Sequence, residues 1–353
     1  MPIPSRSIHT PPALAAAAAG APTDTAVLID NFGRRVTYLR LSVTDRCDFR
    51  CVYCMNEDTR FLPRAQVLSL EELASLARNF VALGVSKIRL TGGEPLLRPN
   101  VMQLIEQLGS MPGLAELTLT TNGSQLQRFA PALRAAGVQR LNISLDSLNP
   151  ARFLAMTRRD QLPQVLRGIE AALAVGFERI KLNTVVQQGG NVGELEDLLD
   201  YALQRGMDIS FIEEMPLGEV HTRQLATSYL GNDRLLARLQ PRYGLIASSE
   251  SSGGPARYYR IAGQHSRVGF ISPHSHNFCA SCNRVRVTVE GQLLLCLGNE
   301  HAVDLKAVLR QFPGDDQHLR QTLLAAMSIK PERHHFSLDA PPQVLRLMNM
   351  TGG

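Results

Sequence analysis

With 353 residues, 44% of them hydrophobic, the chain has enough apolar surface for a core or two, and its six cysteines fall into two triplets, which excludes the disulfide framework of a small secreted domain. No segment approaches the roughly 20 unbroken apolar residues of a membrane span, and six unpaired thiols point to a reducing cytoplasm. The net charge of +5 and pI near 9.0 suit an anionic partner. With no Lys/Arg run and no Trp for base stacking, a small anionic ligand fits at least as well as a nucleic acid.

Residues 1–27, Pro/Ala-rich and interrupted by Pro11 and Pro12, read as a disordered leader. A first strand is expected over 36–43. It is followed at once by "CDFRCVYC", in which Cys47, Cys51 and Cys54 are spaced C-x3-C-x2-C with no fourth ligand nearby. A zinc ribbon closes a tetrahedron with four ligands, whereas iron–sulfur clusters are held by thiolates, and three of them leave one iron open. Helical periodicity over 70–83 leads to a strand at 87–91, which ends in "TGGEP". Further strands at 115–120, 139–145, 179–186 and 208–214 alternate with helices at 125–135, 161–175 and 191–205, and Gly84, Gly137, Gly176 and Gly206 each follow a helix where a cap is expected. Six strand–helix units mean a parallel α/β barrel or open sheet, short of the eight that close a full barrel.

Each strand sets polar residues against its Leu/Ile/Val face. Arg40 and Ser42; Lys87, Arg89 and Thr91; Asn142, Ser144 and Asp146; and Lys181 and Asn183 all fall on the polar side. A lumen lined this way needs a polar occupant. Beyond a boundary near 240, the stretch "SSESSGGP" at 248–255 reads as a flexible loop. Cys279, Cys282 and Cys296 then form a second triplet, C-x2-C-x13-C, around "NRVRVTV", in which Arg284 and Arg286 share a face.

The first triplet, Tyr53 within it and TGGEP after the second strand resemble the radical S-adenosylmethionine superfamily. Together with "FGRRVTYLRLSVTDRC", "FIEEMP", the second triplet and a terminal Gly352-Gly353, the chain from about Leu28 to its end is similar to the MoaA family of GTP 3',8-cyclases. That resemblance implies an α/β fold with a partial (β/α)6 barrel over 28–240 and a C-terminal domain over 241–353. It implies a lyase that converts GTP to 3',8-cyclo-7,8-dihydro-GTP, the first step of molybdenum cofactor biosynthesis. It also implies two 4Fe–4S clusters, on Cys47, Cys51 and Cys54 and on Cys279, Cys282 and Cys296. S-adenosylmethionine would meet Tyr53, Gly93, Ser144 and Met215; GTP would meet Arg40, Arg89, Thr120, Lys181, Arg284 and Arg286; Gly352 and Gly353 would act in catalysis. The implied partners are GTP, an external one-electron reductant and MoaC, which takes the product; a homodimer is compatible, while nucleic acid and membrane are not expected.

Two positions depart from the family's pattern: Asp48 stands where Asn is usual, and Ser210 where an Arg precedes "FIE". Arg205 or Arg223 are candidates to replace that Arg. Two other readings compete: a radical enzyme that modifies a peptide, and a zinc and RNA-binding protein using the second triplet with His301.

Overall fold

The computed structural model describes residues 26–218, 225–337 and 344–352, the side chains of 225 and 226 excepted. All but the end of the expected leader, Arg223 and Gly353 lie outside the described residues. The six expected strands are present as β1 (Tyr38–Ser42), β2 (Lys87–Thr91), β3 (Glu116–Thr121), β4 (Arg140–Ser144), β5 (Arg179–Val186) and β6 (Asp208–Glu213). Each pairs in parallel with the next.

The crossovers are helical and their ends have local causes. Ser69 and Glu72 cap helix Leu70–Ala82 reciprocally, each side chain accepting from the other's backbone N–H, at 3.1 and 2.7 Å. Asn149 caps helix Pro150–Thr157, whose first residue is the proline that a first turn tolerates. Gly176, at φ +74°, ends helix Leu162–Val175 in the left-handed conformation that only glycine adopts cheaply. This last crossover thus holds two helices where periodicity showed one.

Strand period does the rest. Leu39, Leu41, Ile88, Leu90, Leu117, Leu119, Leu141, Ile143 and Leu182 are all buried in the core beneath the helices. Burial contributes about 1.5–3 kcal/mol for each such side chain, so a one-residue slip of any strand, which would turn its apolar set into the lumen, is strongly disfavoured. Arg40, Lys87, Arg89, Asn142, Ser144, Lys181 and Asn183 consequently face inward.

The segment beyond residue 240 does more than follow the barrel. It forms β7 (Ile246–Ser248), β8 (Arg257–Arg260), β9 (Arg267–Ile271), β10 (Arg284–Val287), β11 (Gln292–Leu294) and β12 (Ala302–Asp304). β9 pairs in parallel with β6 and β10 in parallel with β1, so both edges of the six-stranded unit are covered. Bare edges would expose unpaired N–H and C=O groups. The order is β12-β11-β10-β1-β2-β3-β4-β5-β6-β9-β8-β7, and among the described residues no pairing joins its two ends, which leaves the barrel open. The stretch expected to be a flexible loop instead plugs the barrel floor: Lys87 Nζ donates to the Ser252 carbonyl at 2.8 Å, and Tyr258 Oη to Ser252 Oγ at 2.9 Å.

Candidate functional site

Both cysteine triplets line one cavity inside the barrel. Strand register places them at opposite ends. Cys47, Cys51 and Cys54 follow the C-terminal end of β1. Cys279 and Cys282 precede β10, whose Arg284 is level with Tyr38 at the start of β1, and Cys296 follows the antiparallel β11, which runs back to that end. Between the two ends lie the inward-facing cations Arg40, Lys87, Arg89, Lys181, Arg284 and Arg286.

The loop of the first triplet is held by its own backbone and by acids. Gly93 N–H donates to Thr44 O at 2.8 Å, and a Cβ on Gly93 would lie 2.3 Å from Arg46 O, so the glycine is needed for TGGEP to pass against the stem of the cysteine loop. Glu94 accepts from Leu96 N, Asn122 N and Thr121 Oγ1, and burial pushes its carboxyl up to about 8. Asp48, the departure from Asn, accepts from Asn122 Nδ2 at 2.6 Å and Ser124 Oγ at 2.7 Å, which ties the loop to the end of β3. Tyr53 Oη donates to Asp146 at 2.6 Å.

All six cysteines are free. Burial pushes the Cys47 and Cys51 thiols well up and Cys54 to about 12, so these sulfurs stay protonated until a metal displaces the proton. Among the described residues no three His, Cys, Asp or Glu are gathered tightly enough for a single metal ion, but thiolates that take separate corners of a 4Fe–4S cube need not be. A thiolate-only donor set, two triplets and a shared cavity fit two such clusters.

The cation belt encloses one phenol. Tyr38 Oη accepts from Arg89 Nε at 2.6 Å and from Arg40 Nη1 at 3.5 Å, and Lys87 Nζ stands 5.1 Å from the ring centre. Burial lowers Arg40 to about 10 and, aided by Arg40 and Arg284, takes Arg286 well below the usual arginine range. Cations crowded in this way call for an anion. Thr91 Oγ1, Asn183 Oδ1 and His334 Nε2 also line the cavity, buried and without a hydrogen bond among the described residues, as expected where a polar ligand completes the set.

The C-terminal tail enters from the β6 side. Leu217 bridges Val344, Asn349 Nδ2 donates to Asp45 O at 3.0 Å, and the Gly352 carbonyl accepts from Arg40 Nη2 at 2.9 Å and Arg286 Nη1 at 3.2 Å. Gly352 has φ +80°, and a Cβ there would lie 2.4 Å from Thr91 Oγ1. Gly353 lies outside the described residues.

Tyr53, Gly93, Ser144 and Met215 thus line the same cavity as Arg40, Arg89, Thr120, Lys181, Arg284 and Arg286. Arg205 does not reach it. It pairs with Glu170 at 2.8 Å on the outer surface and stacks on Tyr201, because the end of its helix faces away from the lumen. Ser210 is fully buried beside Gly269 and Tyr258, and its Oγ lacks a partner among the described residues. Sequence reading missed Tyr38 and the buried Lys330; the period-two rule that singled out Arg40 also puts Tyr38 on the lumen face.

Comparison with known proteins agrees with this geometry. Residues 41–202 match the radical SAM superfamily, and residues 207–336 match Molybdenum Cofactor Synthesis C. The chain is 59% identical over 326 residues to the GTP 3',8-cyclase of Ectopseudomonas mendocina, covering 92% of this chain and 98% of that one. It is 61% identical over 327 residues to the enzyme of the same name from Pseudomonas entomophila, with the same coverage. Among solved structures, Streptococcus suis SuiB bound to S-adenosylmethionine superposes with a TM-score of 0.56 at 13% identity, over 86% of this chain and 77% of that one. SuiB bound to its precursor peptide SuiA gives 0.56 at 14%, over 86% and 75%. At that identity the likeness carries the fold alone and lends no weight to a peptide substrate.

Proposed function

Because the chain belongs to the GTP 3',8-cyclase family of radical S-adenosylmethionine enzymes, we propose that its single lumen brings S-adenosylmethionine and GTP together between two clusters and cyclises the nucleotide to 3',8-cyclo-7,8-dihydro-GTP. The observation that carries this reading is the placement of the triplets at opposite ends of one cavity with six cations between them. Cys47, Cys51 and Cys54 would hold the first cluster, which with bound S-adenosylmethionine and one added electron would supply the radical chemistry for abstraction of the ribose 3' hydrogen.

The residues of the chain do the rest. Tyr53, Gly93, Ser144 and Met215 position S-adenosylmethionine beside the first triplet. Arg40, Arg89, Thr120, Lys181, Arg284 and Arg286 hold GTP: five are cationic, matching a triphosphate of about −4 charge, and the arginines can grip phosphate oxygens two at a time. The second triplet anchors the nucleotide at the far end, which fixes the distance between the ribose and the radical source. The floor plug at Ser252 and the edge strands β9 and β10 keep water out. Gly352, on Arg40 and Arg286, is placed to orient these two arginines as GTP binds, and Gly353 completes that tail. An external one-electron reductant is required, because reductive cleavage consumes an electron that neither GTP nor S-adenosylmethionine provides, and MoaC receives the product.

The triplets make separable contributions, and cysteine variants test this. Cys51→Ala abolishes 5'-deoxyadenosine formation altogether. Cys282→Ala leaves slow, uncoupled cleavage while the cyclised nucleotide disappears. Product formation that survives Cys282→Ala, assayed anaerobically with dithionite, would remove the second triplet from substrate binding.

A further inference from the structure

The two triplets stand in opposite electrostatic surroundings. Around the first are acids: Asp48 Oδ1 lies 4.0 Å from Cys47 Sγ, and Asp146 is bonded to Tyr53. Beside the second stands a buried ammonium group. Lys330, 3% exposed, follows the short turn Met327–Ile329 and brings Nζ to 3.7 Å from Cys282 Sγ and 2.9 Å from the carbonyl of Leu295, the residue before Cys296.

Among the described residues no carboxylate pairs with this lysine; its hydrogen bonds go to that sulfur and that carbonyl. An ammonium taken out of water carries a penalty of several kcal/mol unless an opposite charge compensates it, and one carbonyl dipole falls short of that. The neighbours able to become anionic are the thiols of Cys282 and Cys296.

The lysine is also fixed in place. Arg34, itself buried and paired with Asp30 at 2.6 Å, donates to the carbonyls of Pro331 at 2.6 Å, Glu332 at 2.5 Å and Cys279 at 2.8 Å. One guanidinium therefore binds the segment that carries Lys330 to the turn that carries Cys279 and Cys282.

We propose that Lys330 is the built-in counter-cation of the second triplet and makes the cluster held there easier to reduce. The proposal rests on the reading that Cys279, Cys282 and Cys296 hold an iron–sulfur cluster. Reduction adds negative charge, which a fixed neighbouring cation favours, and net charge and hydrogen bonds to the sulfurs set cluster potentials.

The test uses the reconstituted full chain, comparing wild type, Lys330→Met and Lys330→Arg. Two quantities are read: iron per chain, and the second cluster's midpoint potential from a redox titration followed by electron paramagnetic resonance, its signal being the one lost in Cys282→Ala. The expected result is a lower potential in Lys330→Met and a return toward the wild-type value in Lys330→Arg. Loss of the second cluster's iron from Lys330→Met alone, with Lys330→Arg retaining it, supports the same role. If the two variants behave alike, both at the wild-type potential or both short of that iron, packing rather than charge is what matters and the proposal is overturned. Wild-type protein with iron for only one cluster would overturn the underlying reading and the proposal with it.

Discussion

Tyr38 shows what a single side chain does in this lumen. Burial would raise its ionisation point, but Arg89, Arg40 and Lys87 outweigh burial and bring it down to about 6. Charged groups of its own strand (Arg40), of β2 (Lys87, Arg89) and of β10 (Arg284, Arg286) all share its cavity. The sign of the pH dependence follows. The unfolded phenol titrates near 10, so between about 6 and 10 the unfolded chain binds the additional proton and stability rises with pH. That contribution is lost as pH falls through the folded value. Relative to Tyr38→Phe, the wild-type melting temperature should therefore gain steadily from about pH 6 upward; parallel profiles for the two proteins would mean that Tyr38 is no resident anion. At this scale the cysteine spacing was legible because cluster ligands lie close together in sequence, and Arg40 and Arg89 because strands alternate with period two. The links from Arg34 to Cys279 and from Lys330 to Cys282 were not, since they span 245 and 48 residues.

Among the elements, the C-terminal tail carries the sharpest consequence. Asn349 and Thr351 are each 1% exposed, and the Gly352 carbonyl sits on two arginines that also face the substrate cavity. Gly352 and Gly353 have no side chain to pack, so their removal leaves the core intact. Deleting Gly352 and Gly353 should leave both clusters, the melting temperature and S-adenosylmethionine cleavage nearly unchanged while cyclisation falls by on the order of 10²-fold, about 2.7 kcal/mol of transition-state stabilisation. Gly352→Ala should act in the same direction, because its Cβ would collide with Thr91 Oγ1 at a φ that alanine resists. Wild-type turnover in both variants would make the tail a passive end. The six central strands were readable from alternation and from the glycines that follow their helices. β9 and β10 were not readable as barrel edges: each is only four or five residues long, and parallel pairing with β6 and β1 across long intervening segments leaves no turn signal between partners.

As a whole, the described residues form an eight-stranded parallel sheet flanked by antiparallel strands, open between its two ends, with a cysteine triplet at each mouth of one lumen. Parallel barrels ordinarily fill that lumen with branched apolar side chains. Here a belt of Arg and Lys takes their place, and an anion among them would offset what is otherwise mutually repelling charge. Among the described residues no helix is long and apolar enough to cross a membrane. The polar lumen was legible in the sequence, but the opposite placement of the triplets was not, because it depends on β10 lying parallel to β1. What this arrangement requires is that a nucleotide held between the two ends present its ribose to the radical source. Incubating the reconstituted protein anaerobically with S-adenosylmethionine, dithionite and GTP deuterated at C3' tests it most directly. Deuterium is expected in the 5'-deoxyadenosine formed alongside the cyclised product. Turnover that leaves the 5'-deoxyadenosine free of deuterium would contradict it.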